Sequence, residues 1–371
     1  MQIRILTALL ALTTLAACAG PDPQVDAGQF QHDVTTVARP WTHEDFDAAP
    51  GKFTFALFAD LTGGERAGVF EVAVEQLRLL RPELIVNVGD LIEGGTIDRA
   101  RLNAEWDSFD RRAQRARGPV FYLGGNHDLT NPVMWDVWEE RYGRRYYHFV
   151  YRDALFLILD TEDNPAEFQW HADKVRNAAL ERVDAEGWGV LPETGYGKLE
   201  ERRTGRIGAA QADYFREVIT HNPDVVHTFV LLHKPAWERP GEDSFARIEA
   251  ALADRPYTVF YGHEHTYQHE VRNGRDYIGL GTTGGYQNSS KPMAVDHLTL
   301  VTVAPDGVDI ANLRLSGIFG KDGRIPADGE SLCFEAAACG DQWGGSVARR
   351  ERISKRTRVA VYWSRAPSLR Q

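Results

Sequence analysis

Short apolar runs that each stop on a carboxylate, an amide or an imidazole constrain this chain more than any other feature of it. Residues 53–59 form one such run and end at Asp60. Residues 66–81 follow with apolar side chains at helical spacing (Val69, Phe70, Ala73, Val74, Leu77, Leu80) and stop before Pro82. Residues 84–88 read as a second strand, ending at Gly89-Asp90, and 98–115 as a second helix. Residues 119–123 read as a third strand that runs into Gly124-Gly125-Asn126-His127-Asp128. Strands alternating with crossover helices make a sheet of largely parallel strands, whose functional side chains gather beyond the carboxyl ends. Asp60, Asp90 and Asn126 occupy that position.

The second half carries strands at 146–150 and 154–159, a helix at 207–220, and strands at 225–232 and 257–261 that run into His233 and Gly262-His263-Glu264-His265. Strands dominate afterwards, at 277–280, 294–303 and 308–315. Between them, 163–208 reads as a long polar insertion with Trp170, Trp188 and Tyr196. A loop of that length is functional or mobile, and its aromatic residues are expected to anchor it to the body rather than to form a lid. The chain has 371 residues, 43% of them hydrophobic, enough for a large core. Its net charge of −11 disfavours nucleic acid as a partner.

The termini read differently from the body. Arg4, the apolar stretch 5–12 and Leu15-Ala16-Ala17-Cys18 have the pattern of a secretory signal ending in a lipidation cysteine. The expected organisation is a signal peptide over 1–17, a lipid-anchored tether over 18–50, a catalytic domain over 51–316 with the 163–208 insertion, and an extension over 317–371. The expected location is the cell envelope, facing the periplasm or the exterior, with membrane attachment through Cys18. In such a compartment Cys333 and Cys339 are expected to form a disulfide. The basic tail over 349–370 reads as a strand with a solvated face.

Taken singly, an Asp or Asn after a strand is a turn former or cap, and a lone His is a hydrogen-bonding group. Asp60, Asp90, Asn126, His127, His233, His263 and His265 together, at five strand ends, are much harder to assign to caps. Their oxygen and nitrogen donors suit Mn, Fe or Zn, and the absence of cysteine among them argues against a structural zinc cluster.

These motifs, in this order over about 53–303, resemble those of the calcineurin-like metallophosphoesterases: Asp60-Leu61-Thr62, Gly89-Asp90-Leu91-Ile92-Glu93, Gly125-Asn126-His127-Asp128, His233 and Gly262-His263-Glu264-His265. The resemblance implies an α+β fold, a four-layer αββα sandwich of two mixed β-sheets flanked by helices. It also implies hydrolysis of a phosphomonoester or phosphodiester at two divalent metal ions. Carried over by motif, Asp90 would bridge the ions, Asp60 and His265 would hold one, and Asn126, His233 and His263 the other. Two ions about 3.5–4 Å apart activate a shared water and bind phosphoryl oxygens. His127 would protonate the departing oxygen or stabilise charge on the phosphoryl group, with Asp128 holding its ring. The substrate would be a phosphorylated small molecule or a phospholipid-type compound. The alternative is an envelope protein that binds a phospho-ligand without turnover.

One position departs from the pattern. Many members have His where this chain has Thr62. Purple acid phosphatases also lack it but supply a Tyr at the position of Glu93. The site of Asp60 and His265 is therefore expected to hold its ion more weakly, with Glu93 and Glu264 outside the metal's direct ligands. His148 and His269 are expected to be structural. Gly284-Gly285 is expected either to turn the chain tightly or to let backbone approach the site.

Overall fold

The computed structural model describes residues 29–318, except 49, 242, 289 and 292, together with residue 334. The signal, Cys18, the Cys333–Cys339 pair and the basic tail lie outside the described residues. Among the described residues no helix is long and apolar enough to cross a membrane.

Two mixed sheets face each other. The smaller contains β2 (Phe53–Phe58), β3 (Leu84–Asn87), β4 (Val120–Phe121), β11 (His297–Ala304) and β12 (Gly307–Arg314), in the order β12-β11-β2-β3-β4. β2, β3 and β4 are parallel neighbours, while β11 and β12 are antiparallel. The larger contains β1 (Phe30–His32), β5 (Tyr147–Tyr151), β6 (Ala154–Ile158), β7 (His227–Leu231), β8 (Tyr257–Tyr261), β9 (Gln268–Arg272) and β10 (Arg275–Gly279), in the order β1-β5-β6-β7-β8-β10-β9. Here β6, β7, β8 and β10 run parallel.

Strand alternation explains why both faces of each sheet are apolar. In β2, Phe53, Phe55 and Leu57 point between the sheets, whereas Ala56 and Phe58 point at the helices. The outer face of the smaller sheet is covered by α1 (Val69–Leu80), α2 (Arg99–Ala113) and α3 (Pro132–Tyr142). α5 (Ala209–His221) and α6 (Ser244–Ala251) cover the larger one. The result is the four-layer αββα sandwich. The inter-sheet layer is rich in rings: Phe121 stacks on Phe149 at 4.3 Å between centroids, and Phe149 on Phe156 at 4.5 Å.

Helix limits follow local chemistry. Arg81 takes a left-handed φ of 53° and its N–H caps Leu77, closing α1 just before Pro82. Asp98 accepts from the amides of Ala100 and Arg101 at the start of α2. α3 begins at an Asn131 cap followed by Pro132, a signal that sequence periodicity alone did not deliver.

Two segments differ from expectation. The body begins before residue 51: β1 pairs with β5, and Val34, Trp41 and Phe46 are buried in the inter-sheet core. Aromatic side chains at irregular spacing supply that burial, so no period betrays it. The 163–208 insertion is largely helical. α4 (Ala166–Glu186) is followed by 3-10 turns at Trp188–Glu193, Tyr196–Lys198 and Glu200–Arg202. α4 buries only Gln169, Ala172, Asp173, Ala179 and Val183, so it carries no continuous apolar stripe. Ala179, Val183, Val190 and Leu191, with Tyr196 packed against them, form a small core of its own. Trp170 and Trp188 are 42% and 58% exposed, whereas Tyr196 packs on that core.

Burial holds His297 and His227 at pKa values of about 4, His227 with help from nearby Arg275. Both bind fewer protons folded than unfolded, so their contribution to stability is full above pH about 6.5 and is lost as pH falls toward about 4. Urea midpoints measured across that window should drop less steeply for His297→Gln than for wild type. Superimposable curves would refute the assignment for His297.

Candidate metal centre

All the motif residues converge at one rim of the sandwich, beyond the carboxyl ends of β2, β3, β4, β7 and β8. The chain reverses sharply there. Asp60, Asp90, His263 and His265 have φ of 52°, 59°, 73° and 53°, the left-handed region that side-chain-bearing residues rarely adopt. These conformations cost about 1–3 kcal/mol each and persist where surrounding structure imposes them. Here they turn four side chains back into one pocket.

Two donor groups result. Asp90, His233 and His263 form one and Asp60, Asp90 and His265 the other, with ligand atoms within 4.8 Å of one another in each. Asp90 is common to both. Asn126 adjoins the first group, its Oδ1 3.1 Å from Nε2 of His233. The six side chains expected as metal ligands are thus brought together.

Each imidazole is oriented by a backbone carbonyl. Nδ1 of His233 bonds the Val88 oxygen (2.8 Å), Nε2 of His263 the Arg202 oxygen (2.9 Å), and Nδ1 of His265 the Tyr286 oxygen. A nitrogen facing a carbonyl carries a proton, so the other nitrogen of each ring is the one turned toward the carboxylates, where a metal would take the place of its proton. Burial works against charge on His233, but Asp90 and then Asp60 prevail and push its pKa up to about 9. Burial, reinforced by His233 and Lys234, lowers His263.

Glycines admit this packing. A Cβ on Gly125 would lie 2.3 Å from Oδ1 of Asp90, and one on Gly262 would lie 2.7 Å from Oδ2 of Asp60. Both expectations for Gly284-Gly285 hold: Gly284 has φ 120°, and a Cβ on Gly285 would lie 2.5 Å from the carbonyls of Asp60 and Thr62. Arg66 clamps that same turn. Its guanidinium donates one bond to each carboxylate oxygen of buried Asp296 (2.6 and 2.5 Å) and a third to the Gly285 carbonyl (3.0 Å).

His127 is half-buried beside the donor groups. Its backbone N–H donates to Asp90 Oδ1 (2.8 Å) and its Nδ1 bonds the Glu93 carbonyl (3.0 Å). Asp128 does not hold that ring. Its carboxylate accepts from the amides of Leu91 (2.9 Å), Ile92 (3.1 Å) and Gly125 (2.8 Å), tying the second motif to the third. Three convergent N–H groups outcompete the neighbouring imidazole, and sequence adjacency gave no sign of it. The ring's actual anchor, the Glu93 carbonyl, was invisible because any residue could supply it.

Thr62 and Glu93 belong to neither donor group. The Thr62 hydroxyl donates to the Asp90 carbonyl (3.3 Å), and the Glu93 carboxylate accepts from the amides of Gly64 (2.9 Å) and Glu65 (3.0 Å). Glu264 pairs with Lys291 (2.9 Å). His148 bonds the Tyr214 hydroxyl (2.7 Å) and His269 pairs with Asp276 (2.8 Å), both structural.

A rim of buried carboxylates and pinned imidazoles shared between two donor groups defines a metal-dependent hydrolase site. The sequence model of the calcineurin-like phosphoesterases matches residues 53–267, and the chain belongs to that family. It is a metal-dependent phosphoric ester hydrolase. Among solved structures it resembles a dimetal phosphatase from Danio rerio, at 17% identity over 71% of this chain and 96% of that one, with a TM-score of 0.49. It also resembles a purple acid phosphatase from yellow lupin (Lupinus luteus) seeds, at 12% identity over 72% and 52% of the two chains, with a TM-score of 0.48. No curated protein matches.

The methyl of Gly125→Ala would displace Asp90. Calorimetric titration with Mn(II) should show binding weakened about 10- to 100-fold, the range for disturbed support of a metal ligand. Unchanged affinity in a folded variant would remove the close-approach argument.

Proposed function

We propose that the protein hydrolyses a phosphomonoester or phosphodiester at a pair of divalent ions, Mn, Fe or Zn. The observation that carries this reading is the sharing of Asp90 between two donor groups, each completed by imidazoles whose second nitrogen is occupied by a carbonyl. The donor set fits: carboxylate, amide and neutral imidazole suit borderline divalent ions. Asp60, Asp90 and His265 would hold one ion, and Asp90, Asn126, His233 and His263 the other. When bound, the ions lower the pKa of a coordinated water and neutralise phosphoryl oxygens.

This chain's residues divide the remaining work. Asp90 orients His127 through the backbone amide, and the Glu93 carbonyl fixes the ring with Nδ1 protonated. Nε2 is then the position from which the doubly protonated ring would pass a proton to the departing oxygen as the phosphorus–oxygen bond to it breaks, leaving the ring neutral, while the water that forms the new bond to phosphorus yields its own proton to solvent. Asp128 acts on the backbone of the loops and is a positioning residue. Thr62 and Glu93, spent on backbone contacts, leave the Asp60–His265 side with fewer donors.

We infer the setting from the N-terminal sequence alone: lipidation of Cys18 and display on the cell envelope, with substrates drawn from phosphorylated small molecules or phospholipid headgroups. Mass spectrometry of the membrane-extracted protein tests it, and an unmodified Cys18 would end that reading.

Aryl phosphomonoesters and phosphodiesters supplied with Mn(II) test the activity. His127→Ala should lower kcat about 10²- to 10⁴-fold while keeping wild-type metal content. Absence of turnover by the wild type on both ester classes, under Mn, Fe and Zn, would favour a binding protein instead. Stepwise dialysis against chelator should remove one ion before the other. Loss of both together would dismiss the idea that Thr62 leaves one side weaker.

A further inference from the structure

The insertion enters the metal centre through main chain. Its last 3-10 turn, Glu200–Arg202, ends with the Arg202 carbonyl 2.9 Å from Nε2 of His263. Among the ring-orienting carbonyls, Val88 belongs to the segment just after β3 and Tyr286 to the turn beyond β10. Arg202 alone of the three comes from the insertion.

The turn that carries it is held by one buried cation. The ammonium of Lys234, next in sequence to His233, is 2% exposed. It lies 2.7 Å from Oε1 of Glu162, itself 3% exposed, and donates to the Glu201 carbonyl at 2.6 Å. Glu201 directly precedes Arg202. A buried ammonium is held only where its partners are placed well, so its two contacts fix the position of the 200–202 backbone against the exit of β6. Neighbouring bonds continue the seam. The Arg206 amide donates to the Thr161 carbonyl (2.9 Å), Arg239 pairs with Glu201, and a Cβ on Gly205 would lie 2.7 Å from the Thr161 side chain.

We propose that Lys234 is a positioning residue for the metal centre: by locking the insertion's Glu200–Arg202 turn in place, it sets the carbonyl that orients His263, and with it the affinity of the Asp90–His233–His263 group for its ion. The inference rests on the two-ion reading above. Lys234 points away from any ligand role, since both of its contacts are to oxygen atoms of the seam. Its effect reaches the metal through Glu201, Arg202 and the His263 ring.

Cobalt(II) titration of the metal-free full chain, followed by its visible d–d absorption, tests this with a signal independent of turnover. Lys234→Met leaves Glu162 buried and unpaired, so the charge-balanced Lys234→Met/Glu162→Gln protein is the second variant, and both are checked for wild-type circular dichroism. The expected result is that one of two cobalt equivalents binds about tenfold or more weakly, while the other keeps wild-type affinity, with Lys234→Arg recovering part of the loss. Hydrogen exchange over 199–204 should rise in the same two Met variants. Wild-type affinity for both equivalents in a folded Met variant would overturn the proposal, as would an equal loss of both. A wild-type protein that binds no cobalt would instead bring down the two-ion reading itself.

Discussion

Two buried carboxylates held close together are the constraint on which the rest of this structure depends. Asp60 and Asp90 are fully enclosed, and Asp90 lies in both donor groups. Like charges at that separation in a poorly solvating interior repel strongly, and each has lost its water. The surroundings answer with directed donors rather than with another fixed cation. The amide of His127 donates to Asp90, the amide of His263 faces both oxygens of Asp60, and the imidazoles of His233 and His265 lie 3.3 Å from the two carboxylates. Burial alone would lower His265, yet Asp60 raises it, and the same balance raises His233. The pocket is therefore a place where positive charge is sought, by a proton or by a metal, and metal binding there releases protons.

Such a pocket cannot be assembled by one loop. Parallel strands from two sheets bring their carboxyl ends to one rim, and the turns after β2, β3 and β8 pass through left-handed backbone. The glycines between those turns are the permission for it, because Gly89, Gly125 and Gly262 leave no room for a methyl group. Behind the rim, the aromatic layer of Phe55, Phe121, Phe149, Phe156 and Phe229 makes the relative position of the sheets stiff. Rigid sheets keep the turns in place, and the Arg66–Asp296 pair extends that rigidity to the turn carrying Gly285 and Tyr286.

Support for the site is mostly main chain, and this is where sequence reading loses sight of it. Asp128 was legible as a neighbour of His127, but its partners are the amides of Leu91, Ile92 and Gly125. Glu93 contributes to the ring of His127 through its carbonyl, which carries no residue-specific signal. Arg202 does the same for His263 from an insertion that displays no period. Lys234, buried against Glu162, reads in sequence as an ordinary lysine beside a histidine.

By itself the sequence determined the strands that end at the rim, the helices α1, α2 and α5, the two-sheet architecture implied by the resemblance of its motifs, and the side chains that meet at the rim. Period-2 and period-3.6 patterns record which faces are buried, and metal donors must be of particular residue types, so both leave marks in the residues. Only the tertiary structure decided which backbone groups orient those donors, that α4 is a helix, and that residues 30–46 belong to the body. Each of these rests on backbone hydrogen bonds or on burial against distant elements, interactions available to almost any residue and so written in no motif.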